Sequence, residues 1–348
     1  MFSNLRSLIF KLDPETAHNL AIKSLKFNFV PNIFEKRNNE ELFKSQIFNK
    51  SINNPIGMAA GFDKNAEVYN QLFKLGFGFV EVGTVTPLSQ YGNSKPRVFR
   101  LAEDEALINR LGFNNYGAQD VESKVKRNPQ TGLLGINIGP NKDTKNRLED
   151  YLIGIRTFYK LADYITINIS SPNTENLRDF HDQTRLEELL KEIEHEKIKL
   201  NSKIPIVVKI APDIIDPEIE KISDVLLSNN IKAVIISNTS NVTREKLKDI
   251  QKYQKGGLSG KPIEEKSNLL INKFYNNLKG KIKIIGVGGV DSGLSAYNKF
   301  LSGANLVQLY TGMVYKGPNI VNLIKNDLAK QLAKDGVKNF SEIIGNRK

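Results

Sequence analysis

Eight short apolar runs, each closing on small or polar residues, constrain this chain more than any other feature. They are Ile56–Phe62, Phe79–Thr84, Leu133–Gly139, Tyr164–Ser170, Ile206–Ala211, Ala233–Thr239, Lys283–Gly289 and Leu306–Thr311. Helix-like segments such as Ala66–Leu75, Leu186–Lys199 and Pro217–Leu227 separate most of them. Runs without polar alternation are strands buried on both faces, and strands alternating with helices form a parallel sheet. Eight such units predict an α/β fold, a (β/α)8 barrel spanning 52–340. A doubly wound sheet is the alternative, although it usually has fewer strands. The stretch from Thr86 to Gly132 is too long for one unit and predicts an excursion over the barrel mouth.

Residues 1–30 stand apart. Phe2, Leu5, Leu8, Ile9 and Leu12 recur at helical spacing. Asp13-Pro14-Glu15 then restarts a helix, with Asp as N-cap, Pro in the first turn and Glu beside the helix dipole. Ala17, Leu20, Ala21 and Leu25 form its expected apolar face, and Phe27, Phe29, Val30 and Pro31 its end. Arg6, Lys11, Lys23 and Lys26 flank the pair. The pattern fits two roles equally: a basic amphipathic pair lying on a membrane, or a hairpin packed on the main domain. Residues 31–51 are expected to connect this segment to the barrel.

Composition narrows the chemistry. The chain has 348 residues and no cysteine, which excludes a disulfide scaffold, thiolate metal sites and a Cys nucleophile. Its three histidines, His18, His181 and His195, are too scattered for a His-rich metal site. The net charge of +12 suits an anionic partner such as nucleic acid, a membrane surface or a phosphorylated ligand. Much of that charge lies in mixed Lys/Glu segments such as Glu187 to Lys199, which read as solvated helix faces. No apolar run approaches the ~18 residues of a membrane span. Arg6 and Lys11 interrupt the apolar stretch that a signal peptide would need.

Barrel active sites sit at the C-terminal strand ends. Here those ends carry Lys64 and Lys209, then Asn137, Asn168, Asn173 and Asn238, with the hydroxyls of Thr84, Ser170, Ser171, Ser237, Thr239 and Thr311. The set holds no carboxylate pair, which argues against glycoside hydrolysis, and no His or carboxylate cluster for metal hydrolysis. It suits a planar, hydrogen-bonding anion. Gly286-Val287-Gly288-Gly289 and Tyr310-Thr311-Gly312 end the last two runs. That is where barrels bind phosphate through backbone N–H groups. Lys209 reads either as a snorkelling strand-end residue or as a cation that stabilises charge on a cofactor ring.

Seven motifs in order resemble those of dihydroorotate dehydrogenase: Asn54–Asn65, Ile108–Asn115, Gly135–Gly139, Asn168–Thr174, Val208–Asp213, Gly256–Pro262 and Ile284–Val290. The resemblance is to the class 2, quinone-dependent, membrane-associated form, and covers nearly the whole chain. It implies one FMN. Ala60, Gly61, Thr84, Asn137, Asn168, Lys209 and Ser237 would serve the flavin. Gly260, Gly289, Tyr310 and Thr311 would hold its phosphate end. Lys64, the run Asn109, Arg110, Leu111, Gly112 and Phe113, and Asn168, Asn173, Asn238 and Thr239 would surround dihydroorotate. Ser171 takes the catalytic-base position, where soluble relatives use Cys; by itself a Ser before Pro172 reads as a turn or N-cap residue. His18, Arg100 and Tyr310 match positions near a quinone head group, although His18 alone reads as a polar residue on an amphipathic helix.

The implied reaction is oxidation of (S)-dihydroorotate to orotate in pyrimidine synthesis, with electrons passed to a membrane quinone. A peripheral, monomeric protein on the cytoplasmic face of the cell membrane is expected, with no nucleic-acid partner and no metal. Two competitors fit less well. A tRNA-reducing flavin barrel would use a Cys acid that is absent here, and a non-catalytic membrane protein would not need eight polar strand ends.

Overall fold

The structure, a computed structural model, describes residues 2–27, 40–241 and 244–347. The eight apolar runs form the expected closed barrel: β1 (Ile56–Met58), β2 (Phe79–Val85), β3 (Leu133–Ile138), β4 (Tyr164–Asn168), β5 (Ile206–Ile210), β6 (Ala233–Ile236), β7 (Lys283–Val287) and β8 (Leu306–Leu309). Each strand pairs in parallel with the next, and β8 closes on β1 with Val307 opposite Ile56.

Strand periodicity of two sorts the side chains. Val80, Val82, Leu134, Ile136, Ile165, Ile167 and Val208 belong to the core shared with the surrounding helices. Phe79, Leu133, Tyr164, Val207, Ala233, Ile285 and Leu306 fill the barrel floor instead. Burying one such aliphatic side chain contributes about 1.5–3 kcal/mol. The floor has a plug in the segment expected only to connect. Ser45–Ile47 and Lys50–Ile52 form an antiparallel hairpin whose Ile47 and Ile52 join the floor cluster. Phe48 and Asn49 at its turn both have positive φ, 53° and 60°, as a two-residue hairpin turn requires. The Phe48 ring lies 5.1 Å from that of Tyr164.

The expected excursion is present. Val98–Leu101, Ala106–Asn109 and Gly257–Gly260 form a three-stranded antiparallel sheet with a small apolar core of its own.

The N-terminal residues form α1 (Phe2–Ile9) and α2 (Pro14–Lys26). Asp13 caps α2, accepting from the Thr16 N–H at 2.8 Å. Phe29, Val30 and Pro31, the side chain of Phe2 and residues 31–39 lie outside the described residues. The pair is tied to the excursion. Arg97, 3% exposed, grips Glu15 through two hydrogen bonds of 2.6 and 3.0 Å. Arg100 donates to the carbonyls of Phe10 and Leu12, both at 2.9 Å. The inward side of α2 is His18, Ile22 and Leu25; of the expected face Ala17, Leu20, Ala21 and Leu25, Leu25 packs on the core while Leu20 and Ala21 are exposed. Leu5, Leu8, Leu12 and Leu20 are exposed at 51%, 61%, 41% and 54%. The two roles left open by the sequence are therefore compatible, since one side is docked and the other is bare leucine. No helix among the described residues is long and apolar enough to cross a membrane.

Gly135 on β3 makes room for the Tyr164 ring, with which a Cβ at that position would collide. Gly135→Ala should lower stability by about 1–3 kcal/mol through overpacking. A denaturant titration checks this; at exposed Gly280, which has open space but a φ of 74°, the same substitution meets only backbone strain of about 1 kcal/mol.

Candidate active site

The strand ends converge on one cavity above the barrel. After β1 the chain turns through Gly61, at φ 105°, and Asp63 accepts the N–H groups of Glu67 and Val68 at 2.8 and 2.7 Å. That turn presents Lys64, whose ammonium donates to the Gly61 carbonyl at 2.6 Å. Burial pulls Lys64 down to about 8, although Glu15 works against the shift. Lys209 stands at the end of β5, 5% exposed. Burial lowers it too, and the opposing attraction comes from Glu81 on β2.

Glu81 is the centre of this geometry. Its carboxylate is fully buried and accepts from Asn137 Nδ2 at 2.8 Å, Tyr164 OH at 3.0 Å, Thr166 Oγ1 at 3.1 Å and Gln308 Nε2 at 3.2 Å. The network continues upward. Thr84 Oγ1 donates to Asn137 Oδ1 at 2.6 Å, and Asn168 Nδ2 donates to Thr84 Oγ1 at 2.9 Å. Ser170 Oγ donates to Asn168 Oδ1 at 2.8 Å, and Asn238 Nδ2 donates to Ser170 Oγ at 2.9 Å.

Ser171 lies beside this chain, 5% exposed, and lines the cavity. Its Oγ accepts from the Asn173 N–H at 3.2 Å, the contact of a turn residue. A donor to that oxygen favours its more negative form. Asn173 donates to the Asn109 carbonyl at 3.2 Å, linking the β4 loop to the excursion. At the far end Gly260, Gly289, Tyr310 and Thr311 line the same cavity, where the short helix Thr311–Lys316 begins.

A family model described as dihydroorotate dehydrogenase matches residues 42–332. The chain belongs to the dihydroorotate dehydrogenase family. It is 46% identical over 345 residues to a dihydroorotate dehydrogenase (quinone) from Bartonella tribocorum, covering 97% of this chain and 94% of the relative. It is also 46% identical over 333 residues to the protein of that name from Buchnera aphidicola, covering 93% and 98%. A crystal structure of DHODH from Eimeria tenella in complex with ferulenol superposes with a TM-score of 0.92 at 37% identity, covering 96% of this chain and 95% of that one.

Most residues implied by the motifs of the dihydroorotate dehydrogenase family share the cavity: Ala60, Gly61, Lys64, Thr84, Asn109, Leu111, Gly112, Phe113, Asn168, Ser171, Asn173, Lys209, Ser237, Asn238 and Thr239. Two do not line it. Asn137 is buried behind Thr84 and Asn168. Arg110 points away, donating to the Pro96 and Lys255 carbonyls at 2.8 and 3.0 Å with its guanidinium over the Phe99 ring. Asn168 uses both ends of its amide within the network, so it positions Thr84 and Ser170. His181 is structural: its ring nitrogens engage the Arg178 carbonyl at 2.8 Å and the Ala211 N–H at 3.1 Å.

Several contributors were not expected from sequence. Glu81 is one. Arg178 is another, bracing the mouth by donating to the Ser170 and Thr239 carbonyls, each at 3.2 Å. Glu105 lines the cavity but is neutralised by Lys316 and Lys261 at 2.6 and 3.3 Å. Only inward parity along a strand, as in Phe79 and Glu81, signalled any of these.

A second cavity lies beneath α2. It is lined by Pro14, Glu15, His18 and Ile22 and shares Lys64, Val98, Leu111, Asn114 and Tyr310 with the first. His18 and Tyr310 stack with ring centroids 6.4 Å apart, and Phe62 meets His18 edge-on at 5.2 Å. Arg100 is not among the lining residues and instead holds the α1–α2 turn.

Burial and the nearby Lys64 push His18 down to about 3. Its ring should stay neutral at pH 5, which NMR titration of the imidazole checks. Because the folded value lies below the unfolded one, stability is full above about 6.5 and falls as the pH drops toward 3. His18→Gln should flatten that part of the stability profile.

Proposed function

We propose that this chain is a quinone-dependent dihydroorotate dehydrogenase, oxidising (S)-dihydroorotate to orotate in pyrimidine synthesis. The observation that carries the reading is one cavity lined by Ser171, Lys64, Lys209 and a set of asparagines that includes Asn109, Asn173 and Asn238, with the Gly288–Gly289 turn also in its lining. Such a cavity suits a planar carboxylate ligand next to a phosphate-bearing cofactor.

FMN fits these residues. Gly288 and Gly289 turn through φ values of 115° and 78°, leaving backbone open to the cavity where a side chain would crowd it. Lys209 supplies a buried cation near the barrel axis. When bound there, FMN would accept a hydride from C6 of the substrate and pass the electrons on to a quinone.

The chain's own residues do the rest. Lys64, held at the Gly61 carbonyl, would pair with the substrate carboxylate. Asn109, Asn173, Asn238 and Thr239 would offer hydrogen bonds to the ring edges, and Phe113 would help exclude water. Ser171 Oγ would take the C5 proton as its own hydroxyl proton passes on to solvent, the oxygen held by the Asn173 N–H. The second cavity, with His18 and Tyr310, is the quinone entrance in this reading. Exposed leucines on α1 and α2 would rest on the cytoplasmic face of the membrane.

Ser171→Ala should slow flavin reduction by dihydroorotate by about 10²–10⁴ while leaving flavin content near normal. Stopped-flow absorbance at saturating dihydroorotate measures it, and an unchanged rate would remove Ser171 from the chemistry. A second outcome concerns the membrane. Removing residues 1–30 would strand buried Arg97 without Glu15, so surface changes test the role more cleanly. Leu8→Glu with Leu20→Glu should leave flavin reduction intact, abolish flotation with anionic vesicles and slow turnover with a long-chain quinone.

A further inference from the structure

Behind the glycine turn lies a cation that the reaction described above does not use. Lys299, on the helix Gly293–Leu301, is 0% exposed. Its ammonium donates to Asn268 Oδ1 at 2.9 Å and Ser267 Oγ at 3.1 Å. Ser267 Oγ in turn donates to the carbonyl of Val287 at 2.6 Å, the residue before Gly288. Asn268 and Ser267 belong to the helix Glu264–Leu278, whose first turn presses on the glycine turn. A Cβ on Gly288 would stand 3.2 Å from that of Ser267, and one on Gly289 would collide with Glu264. The chain Lys299–Ser267–Val287 therefore fixes the backbone just before the turn.

The charges around this end need that cation. Glu264 lies under Gly289, and Asp291 lines the cavity two residues further on. Both would repel a phosphate. Glu264 and Glu265 are the acidic groups that face Lys299, and Glu265 is paired with Arg347 at 2.6 Å. Lys261 and Lys316, the other cations at this rim, are tied to Glu105. Burying an ammonium carries a large desolvation cost, so one placed here needs a compensating charge partner.

We propose that Lys299 is a concealed positioning cation for the cofactor phosphate, holding the Gly288–Gly289 turn through Ser267 and offsetting Glu264 and Asp291 without touching the ligand. This rests on the FMN reading. Burial draws the Lys299 ammonium down to about 7. A bound phosphate dianion favours the charged form, so FMN affinity falls as the pH rises through and beyond that value. The second ionisation of the phosphate itself, near ~6, acts in the opposite direction and below that window.

The test follows FMN release from the holoenzyme after dilution, by recovery of free-flavin fluorescence between pH 6 and 9. Wild-type release should speed up above pH 7. Lys299→Met should release FMN on the order of tenfold faster at pH 6, with the pH dependence flattened. Glu264→Gln at pH 6 should release it more slowly, a direction that a folding defect does not produce. Equal release from Lys299→Met and wild type, or unchanged or faster release from Glu264→Gln, overturns the proposal. A purified protein that holds no flavin would overturn the FMN reading itself.

Discussion

A carboxylate sealed inside the barrel governs how the mouth is arranged. Glu81 sits above a dry floor of Phe79, Leu133, Val207 and Ile285, where an unpaired charge would cost several kcal/mol. It is held because each of its four hydrogen-bond partners is a donor. An acceptor of this kind sets a direction. Donation runs one way, from Asn238 through Ser170, Asn168 and Thr84 to Asn137 and then to Glu81. Amide and hydroxyl groups that could otherwise flip are locked in one orientation, and hydrogen bonds in such a chain strengthen one another. The same charge attracts Lys209, so the barrel interior pairs a fixed anion with a cation beneath the cavity.

Order in the mouth and attachment of the N-terminal helices depend on each other through the excursion. Arg97 links Glu15 of α2 to the carbonyls of Tyr91 and Asn93, at 2.6 and 2.8 Å. Asn93 donates in turn to the Arg110 carbonyl at 3.0 Å. A displacement of α2 is thus felt at the loop that carries Asn109 to Phe113. α2 is part of the wall of the second cavity, while Leu5, Leu8 and Leu20 on the two helices are exposed.

The fold was legible because each barrel strand is short, apolar on both faces and punctuated by polar residues. The floor hairpin was missed. Its turn, Phe48-Asn49, lacks the glycine that usually announces a two-residue hairpin, and its strands are only three residues each. Among the residues named from motifs, those on loops, including Ser171, Lys64 and Asn173, do come together at the cavity. Residues whose role depends on direction were not legible. Arg110 lies within a matching motif yet points outward. Lys299 looks like any helix lysine in Gly293–Leu301, and only tertiary packing buries it. Glu81 interrupts an apolar run and reads as noise until strand parity puts it beside Phe79, pointing inward.

The wall shared by the two cavities has a consequence for small molecules that would fill the second one. Lys64, Leu111 and Tyr310 each line both cavities, so a change that expels a blocker there also reshapes the cavity that holds Ser171. Asn19, Ile22 and Lys23 line the second cavity and not the first. A change at Asn19 or Lys23 therefore alters the second cavity alone, while a compound anchored against the shared wall cannot be expelled without altering both cavities.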